Sequence, residues 1–251
     1  MFNSTTLKKY PDILLILMPI NTINGNLPYQ IAIDGPAGAG KGTVARAVAE
    51  KLGYLYFETG ALYRCIALLS LKHKISPDDE NKLLEILKKH TIEIRKPTEQ
   101  ESQDNRHITV LINGQDVSWK IRHEDISLQA SKLSHHPKIR NELKKHQQEV
   151  ASKNNIVMEG RDVTNEVLPN AQTKIFLHAH PHIRAQRRFK QLIEKGHNTT
   201  YEKVLEDLIE RDKRDHDRLS QMPKDTWVID ASNQNIETIV HNICESVKQK
   251  S

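Results

Sequence analysis

The segment Ile31-Ala32-Ile33-Asp34-Gly35-Pro36-Ala37-Gly38-Ala39-Gly40-Lys41-Gly42-Thr43 decides the fold of this chain. Its first three residues are typical of a short buried strand, and the apolar positions from Val44 to Leu52 fall on one face of a helix. Glycines between a strand and a helix let the backbone turn tightly, so that its N–H groups point at phosphate oxygens. Lys41 adds a positive charge for the outer phosphates. The segment therefore predicts a phosphate-binding loop rather than a glycine-rich turn without function.

Further apolar runs alternate with helical patterns along the chain, and this alternation favours an α/β fold with a parallel sheet flanked by helices. The runs that we expect to form buried strands are Leu55–Phe57, Ile156–Met158, Ile175–Leu177 and Trp227–Ile229. A last helix is expected on the face formed by Ile236, Ile239, Val240 and Ile243. Together with the loop, this order predicts a sheet of the P-loop NTPase type.

The region from about residue 89 to 150 has a different pattern. Residues 97–107 are polar and loop-like, whereas Ile108–Gly114 alternates like an antiparallel strand that ends in a turn. Helical stretches follow at about 122–134 and 137–152. We therefore expect a small α+β insert that interrupts the parallel sheet.

These patterns predict the domain organisation. The core is expected to comprise residues 29–88 and 151–251, and the insert residues 89–150. Residues 1–28 are expected to be a tail outside the fold, and their apolar run Ile13–Met18 is far shorter than the ~18 residues that a membrane span requires.

The overall composition excludes several classes of protein. The 251 residues are 37% hydrophobic and 27% charged, which excludes collagen-like, coiled-coil and wholly disordered chains. Lys and Arg number 37 against 32 Asp and Glu, and the net charge of +5 suits anionic partners, either polynucleotides or small phosphate esters. The cysteines Cys65 and Cys244 lie far apart and match no metal-ligand spacing, so we expect a reducing compartment and a cytoplasmic protein.

A second motif, Thr59-Gly60-Ala61-Leu62-Tyr63-Arg64, begins eighteen residues after Lys41. One helix and one strand separate the two motifs, so the second is expected at the carboxyl end of the strand beside the loop. A hydroxyl from Thr59 and a guanidinium from Arg64 can hold an acceptor phosphate there. The alternative is a helix N-cap at Thr59 with Arg64 on the surface.

Two charged motifs lie later in the chain. Glu159-Gly160-Arg161-Asp162 follows a buried strand, and its Arg–Asp pair is either a structural ion pair or a reader of phosphate and base. In the run Glu210–Arg218, the spacing of Arg211, Arg214, Asp215 and Arg218 predicts one helical face with three guanidiniums around one carboxylate. Such a cluster repels itself unless it binds an anion, although a charge run is more often a solvated helix face.

Taken together, these motifs resemble the bacterial-type cytidylate kinases, a family of P-loop nucleoside monophosphate kinases, from about residue 30 to the end. The remaining motifs that carry the resemblance are Asn113–Ser118, Pro137–Arg140 and Arg184–Arg188, together with the Gly-Lys-Gly-Thr form of the loop. One departure is Val163-Thr164-Asn165-Glu166, which stands where the family usually has Ile-Gly-Thr-Val. The resemblance implies that the insert is a monophosphate-binding domain and that a short helical lid lies at about 180–200.

The resemblance also implies roles for individual residues. ATP is held by Gly35, Pro36, Ala37, Gly38, Ala39, Gly40, Lys41, Gly42 and Thr43. Cytosine is faced by Thr59, Ser131, Arg140 and Asp162; the acceptor phosphate is held by Arg64, Arg161, Arg211 and Arg218, and the ribose by Asp215. A lid with Arg184, Arg187 and Arg188 closes over the transferring phosphoryl group, and the catalytic residues are Lys41, Arg161, Arg187 and Arg188. Thr43 is the expected protein contact of Mg²⁺.

The implied activity is transfer of the γ-phosphoryl group of ATP to CMP or dCMP by a monomer that acts on small nucleotides, without a nucleic-acid or membrane partner. The carboxylate of Asp162 accepts from the exocyclic amine of cytosine but faces the carbonyl of uracil, so we expect poor use of UMP. A kinase for UMP or AMP is the alternative enzyme. A basic RNA-binding module is the non-enzymatic alternative, but aromatic residues, which such modules interleave with basic ones, make up only 5% of the chain.

Overall fold

The computed structural model describes residues 27–194 and 196–250, and all but the last two residues of the expected tail lie outside this part of the chain. The strands are β1 (Gln30–Asp34), β2 (Leu55–Glu58), β3 (Ile92–Arg95), β4 (Thr109–Ile112), β5 (Gln115–Asp116), β6 (Ile156–Gly160), β7 (Thr173–His178) and β8 (Trp227–Asp230). The helices are α1 (Lys41–Leu52), α2 (Thr59–Lys72), α3 (Glu80–Lys88), α4 (Glu99–Ser102), α5 (Glu124–Leu133), α6 (Pro137–Ala151), α7 (Pro181–Glu194), α8 (Tyr201–Leu219) and α9 (Ile236–Lys248). The described residues form two compact units, Gly60–Val150 and the remainder.

The larger unit contains a five-stranded sheet in the order β2-β6-β1-β7-β8, and every pairing in it is parallel. This confirms the predicted α/β class and all the strands expected from the apolar runs. The side chains of β1, β6 and β7 pack with those of α1 and α9 in one core, which includes the fully buried Ile31, Val157 and Ile175. Central strands of a parallel sheet are covered on both faces, so both sets of side chains are apolar. This explains why these strands appear as continuous apolar runs in the sequence.

The strand ends of this sheet determine where a site can form. Asp34 at the end of β1 lies in register with Gly160 at the end of β6, and Glu58 at the end of β2 with Glu159. The segments that follow these strands therefore leave the sheet at the same edge. In open α/β sheets this edge is where ligands bind.

Helices α7 and α8 belong to the same unit but have their own apolar cluster. Ala185 and Leu192 of α7 meet Val204 and Leu208 of α8, and Ala37 from the glycine-rich loop joins them. Helix α7 begins at a proline, as the sequence suggests, because the fixed φ angle of proline suits the first helical position. The predicted lid at about 180–200 falls mainly on α7, and its function as a lid stays a prediction.

The smaller unit contains an antiparallel sheet in the order β3-β4-β5. The turn between β4 and β5 is formed by Asn113 and Gly114, both with positive φ angles, and the antiparallel strand expected there is confirmed. Helix α4 lies within the segment that was expected to be a loop. It forms because Thr98 and Glu101 cap each other's backbone N–H groups.

The smaller unit begins at Gly60, earlier than the predicted boundary at residue 89. Side-chain hydrogen bonds explain why α2 and α3 group with it. Gln129 of α5 donates to Ser70 of α2, and Glu80 of α3 accepts from the backbone N–H of Lys138 at the start of α6. Among the helices of the described residues, none is both long enough and apolar enough to cross a membrane.

Candidate active site

The loop after β1 has the geometry of an anion site. Gly35 must be a glycine, because a Cβ atom there would stand 1.9 Å from the carbonyl oxygen of Leu177. Gly40 precedes α1 and has no side chain to cap the helix, so the first N–H groups of α1 are left for a ligand. These groups carry the partial positive charge of a helix N-terminus, which attracts phosphate. The structure thus places the whole predicted segment Gly35–Thr43 between β1 and the first turn of α1.

Lys41 supplies the charge at this loop. Its side chain is 5% exposed, and its ammonium group donates a hydrogen bond of 3.0 Å to the carbonyl of Pro36. Burial lowers the pKa of Lys41 to about 7, and the nearby Arg161 and Arg211 guanidiniums act in the same direction, partly offset by Glu159. A buried cation beside other cations is stabilised by an anion, so the surroundings of Lys41 favour binding of a polyanion.

A cluster of guanidiniums surrounds Asp215, which is 2% exposed on α8. Arg161 donates from Nε to Oδ2 of Asp215 at 3.0 Å, and Arg218 donates to Oδ1. The Nε atom of Arg211 lies 3.8 Å from Oδ2. Burial alone raises the pKa of Asp215, but the three guanidiniums outweigh it and hold this pKa below its ordinary value. Three guanidiniums thus lie around one buried carboxylate, and guanidinium groups in a cluster are suited to binding phosphate.

The sequence prediction for this cluster was wrong in one member. Arg214 does not face Asp215; its Nη1 atom lies 3.8 Å from Oε2 of Glu210. The physical reason is helical geometry, because adjacent residues of an α-helix lie about 100° apart around the axis. Arg161, which follows β6, provides the third guanidinium instead.

The arginines of α7 are placed differently from one another. Arg184 is 3% exposed, and its guanidinium donates to protein oxygens only, in Ala37, Ala179 and Asp212. The resemblance places Arg184 in a lid over the transferring phosphoryl group, and that role stays a prediction. Arg187 donates from Nη2 to the carbonyl of Ala231 at 2.7 Å, and Arg188 lies half-buried on α7.

The segment that carries Asp162 is fixed by a buried carboxylate. Asp34, which is 2% exposed, accepts from the backbone N–H groups of Val163 (2.9 Å) and Thr164 (2.7 Å) and from the hydroxyl of Thr164 (2.7 Å). Burial raises the pKa of Asp34, although these hydrogen bonds oppose the shift. Asp162 itself is half-buried and directly precedes a π-helical turn at Val163–Val167. That turn is where the sequence departs from the family pattern.

Thr59 is the one predicted cytosine-facing residue besides Asp162 that belongs to the larger unit. Its hydroxyl donates to the carbonyl of Glu159 at 3.0 Å and so links the end of β2 to the end of β6. Thr59 is also the first residue of α2. The structure therefore places it at the sheet edge that carries the loop.

The other predicted acceptor residues belong to the smaller unit. Arg64 donates from Nη1 to the hydroxyl of Ser127 at 2.8 Å and to the carbonyl of Ile121 at 3.2 Å. Ser131 lies one helical turn after Ser127, on the same face of α5. Arg140 lies in the first turn of α6 and is half-buried. Their approach to a nucleotide stays a prediction.

Three residues that shape the site were not identified from the sequence, namely Asp34, Thr164 and Asp212. Asp34 had a signal that was available, since it is a carboxylate at the end of an otherwise apolar strand. Thr164 and Asp212 had none, because each acts through a partner more than twenty residues away in the chain.

Comparisons with known proteins give the following similarities in sequence and in structure. A family model described as cytidylate kinase matches residues 31–249. A cytidylate kinase of Bacillus subtilis (strain 168) is 43% identical over 225 residues, which cover 88% of this chain and 97% of the relative. One from Caldicellulosiruptor bescii is 41% identical over 219 residues, which cover 86% of this chain and 94% of the relative. A solved structure of shikimate kinase from Bacteroides thetaiotaomicron is 16% identical, with a TM-score of 0.43, and the match covers 88% of this chain and 98% of that chain.

Proposed function

The chain belongs to the cytidylate kinase family, and we propose that it transfers the γ-phosphoryl group of ATP to CMP or dCMP, giving CDP or dCDP and ADP. One observation carries this proposal. The loop follows β1, while Arg161 follows the neighbouring strand β6 and hydrogen-bonds Asp215, beside which Arg211 and Arg218 also lie. A site for donor phosphates and a site for a second anion therefore adjoin, as phosphoryl transfer between two nucleotides requires.

The loop Gly35–Thr43 holds the phosphates of ATP in this proposal. Its backbone N–H groups and Lys41 bind the outer phosphates, at the positive end of α1. Thr43 is exposed in the first turn of α1 and offers one hydroxyl to Mg²⁺. Mg²⁺ keeps several waters and is held mainly by nucleotide oxygens in sites of this kind. When bound, Mg²⁺ neutralises charge on the transferring phosphoryl group.

The acceptor phosphate is proposed to bind the guanidiniums of Arg64, Arg161, Arg211 and Arg218. The second pKa of a phosphate monoester is near 6, so CMP is mostly a dianion at neutral pH and its oxygen is already a nucleophile. No general base is therefore needed. The protein aligns two polyanions and stabilises the charge that spreads over the transferring group, with Lys41, Arg161, Arg187 and Arg188 as the catalytic residues.

The base is proposed to be selected by Asp162, together with Thr59, Ser131 and Arg140. The carboxylate of Asp162 accepts from the exocyclic amine of cytosine, whereas uracil presents a carbonyl at that position. An unpaired buried polar group costs about 1–3 kcal/mol, which corresponds to about 10–100-fold discrimination. Asp215 is proposed to hold the ribose; each of its oxygens accepts from one arginine and retains a second lone pair for a hydroxyl.

A direct test compares ATP-dependent phosphorylation of CMP, dCMP, UMP and AMP at equal concentrations, with ADP release measured in each case. A reaction without acceptor measures hydrolysis of ATP. We expect high kcat/KM for CMP and dCMP and at least about tenfold lower kcat/KM for UMP and AMP. Higher kcat/KM for UMP or AMP than for CMP would show that the acceptor is misassigned.

The proposal also covers the organisation of the protein. We propose the boundaries that the sequence predicts, with residues 29–88 and 151–251 as the ATP-binding core, a lid at about 180–200 and residues 89–150 as the monophosphate-binding insert, although α2 and α3 group with the smaller unit. The enzyme is proposed to be a cytoplasmic monomer whose partners are small nucleotides. Sedimentation of the purified protein with and without nucleotides tests the monomer.

A further inference from the structure

Arg184 connects three parts of the larger unit by hydrogen bonds, namely the segment after β7, the glycine-rich loop and α8. The proposed reaction depends on the relative positions of the loop and α8. Its Nε atom donates to the carbonyl of Ala179 at 2.9 Å, and its Nη1 atom donates to the carbonyl of Ala37 at 3.0 Å. Both terminal nitrogens also donate to the carboxylate of Asp212, at 3.1 and 2.6 Å. A buried guanidinium with this set of acceptors is fixed in one orientation.

The glycine-rich loop packs closely against α7 at two residues, Gly38 and Ala37. A Cβ atom on Gly38 would stand 3.1 Å from Cβ of Arg184 and 3.2 Å from its carbonyl oxygen, so a larger residue would separate the loop from α7. Ala37 in turn packs in the apolar cluster with Ala185 of α7 and Leu208 of α8. The loop that is proposed to hold ATP therefore rests on the start of α7.

The contact with α8 occurs where the guanidinium cluster is attached. Asp212 directly follows Arg211 and lies less than one turn before Asp215. Fixing the carboxylate of Asp212 therefore fixes the part of α8 from which Arg211 and Asp215 project. Arg184 therefore connects this part of α8 to the loop by hydrogen bonds, in addition to the apolar packing of Ala37 with Leu208.

We propose that Arg184 and Asp212 form a positioning pair that aligns the phosphate-binding loop with the arginine cluster on α8, and that Arg184 does not contact the transferring phosphoryl group. The inference rests on the proposed function, because it takes the loop as the donor site and the cluster as the acceptor site. It differs from the lid role that the family resemblance implies for Arg184. The guanidinium of Arg184 is buried. To contact a phosphate, it would have to break its hydrogen bonds to the carboxylate of Asp212 and to the carbonyls of Ala37 and Ala179.

A double-mutant cycle distinguishes the two roles. The variants are Arg184→Gln, Asp212→Asn and the double variant, and kcat is measured together with the equilibrium Kd of ATP alone and of CMP alone by calorimetry. If the pair aligns two otherwise intact sites, each single variant lowers kcat by about 10–100-fold, since a misplacement of about 1 Å can cost 10²-fold. The double variant falls no further than the worse single variant, and each Kd changes by less than about threefold.

The matched control is Asp225→Asn, which removes an ion pair of similar length, 2.8 Å, between Asp225 and Lys174 at the opposite end of β7 in the same unit. It should leave kcat unchanged. Loss of kcat in Arg184→Gln with normal kcat in Asp212→Asn would overturn the inference in favour of direct contact with phosphate. Independent, multiplicative losses in the double variant would also overturn it.

Two further outcomes keep the test decisive. If Arg184→Gln does not fold, Asp212→Asn decides alone, because its carboxylate is partly exposed and the substitution keeps the shape of the side chain. A normal kcat in Asp212→Asn then overturns the inference, and a reduced kcat with normal Kd values supports it.

If the wild-type protein binds ATP but phosphorylates none of the four nucleoside monophosphates, the proposed function fails, and the inference, which rests on it, fails with it. A wild-type protein that is active on CMP while the cycle is additive shows that the inference alone has failed.

Discussion

Replacing Asp34 by asparagine tests how far the segment after β6 depends on one buried carboxylate. Two donors, the N–H group and the hydroxyl of Thr164, reach Oδ2, and the N–H group of Val163 reaches Oδ1. An amide in the same place can present its oxygen to Thr164, but its NH2 group then faces the N–H group of Val163. One buried donor is left without an acceptor, at a cost of about 1–3 kcal/mol.

Removal of the negative charge of Asp34 has the opposite effect on the stability of the protein. Burial raises the pKa of Asp34, so removing the charge relieves part of its desolvation. We therefore expect a net loss of about 1–2 kcal/mol in the free energy of unfolding, which corresponds to a fall in Tm of about 2–8 °C for a chain of this size. The KM for CMP should rise more than the KM for ATP, because the loosened segment carries Arg161 and Asp162.

Urea denaturation followed by circular dichroism measures the stability, and steady-state kinetics measure the two KM values. The control is Thr164→Val, which removes only the hydroxyl hydrogen bond and should cost about 0.5–1.5 kcal/mol. The reasoning is refuted if Asp34→Asn is as stable as the wild type, or if Thr164→Val destabilises the protein more than Asp34→Asn does.

Three further predictions concern single groups of the proposed site. Because the pKa of Lys41 is about 7 and bound polyphosphate raises it, ATP binding should take up close to one proton at pH 8 and almost none at pH 6. Calorimetry in buffers of different ionisation enthalpy measures this, and Lys41→Met should abolish the uptake and lower kcat by about 10²-fold or more. Asp162→Asn should lower kcat/KM for CMP and bring the CMP-to-UMP ratio of kcat/KM close to one, since an amide can donate to uracil; an unchanged ratio would show that Asp162 does not read the base. Ser127→Ala should raise the KM for CMP by about 2–10-fold without changing the KM for ATP, because Arg64 loses a hydrogen bond that orients it; equal changes in both KM values would contradict this role.

The fold of the larger unit was predictable from the sequence because its signals are local. Each central strand is a continuous apolar run, and the glycines of the loop lie directly between a strand and a helical pattern in the sequence. The expected strand at Ile108–Gly114 was also found, because its alternation and its turn residues lie together. Helix α4 was not predicted because it is a single turn without buried residues, so it has no apolar periodicity, and its capping box lies in an otherwise polar stretch.

Other features depend on pairings that spacing along the chain does not reveal. The i, i+3 and i+4 pattern correctly placed Arg211 and Arg218 near Asp215, but it also included Arg214, which lies beside Glu210. Arg161 was expected at the acceptor phosphate, yet its contact with Asp215 joins residues 54 positions apart. The family resemblance placed Arg184 in the lid, and only the tertiary structure shows its partners in the loop and in α8.

The most direct test of the arginine cluster is a comparison of ligands with and without a phosphate. The Kd values of CMP and of cytidine are measured for the wild type, for Arg211→Gln and for Arg214→Gln, two substitutions three residues apart on α8 that remove the same charge. If the guanidiniums around Asp215 bind the acceptor phosphate, Arg211→Gln weakens CMP by about 10–100-fold and leaves cytidine unchanged, while Arg214→Gln changes neither. Equal weakening of CMP and cytidine by Arg211→Gln, or equal effects of the two substitutions on CMP, would contradict the account.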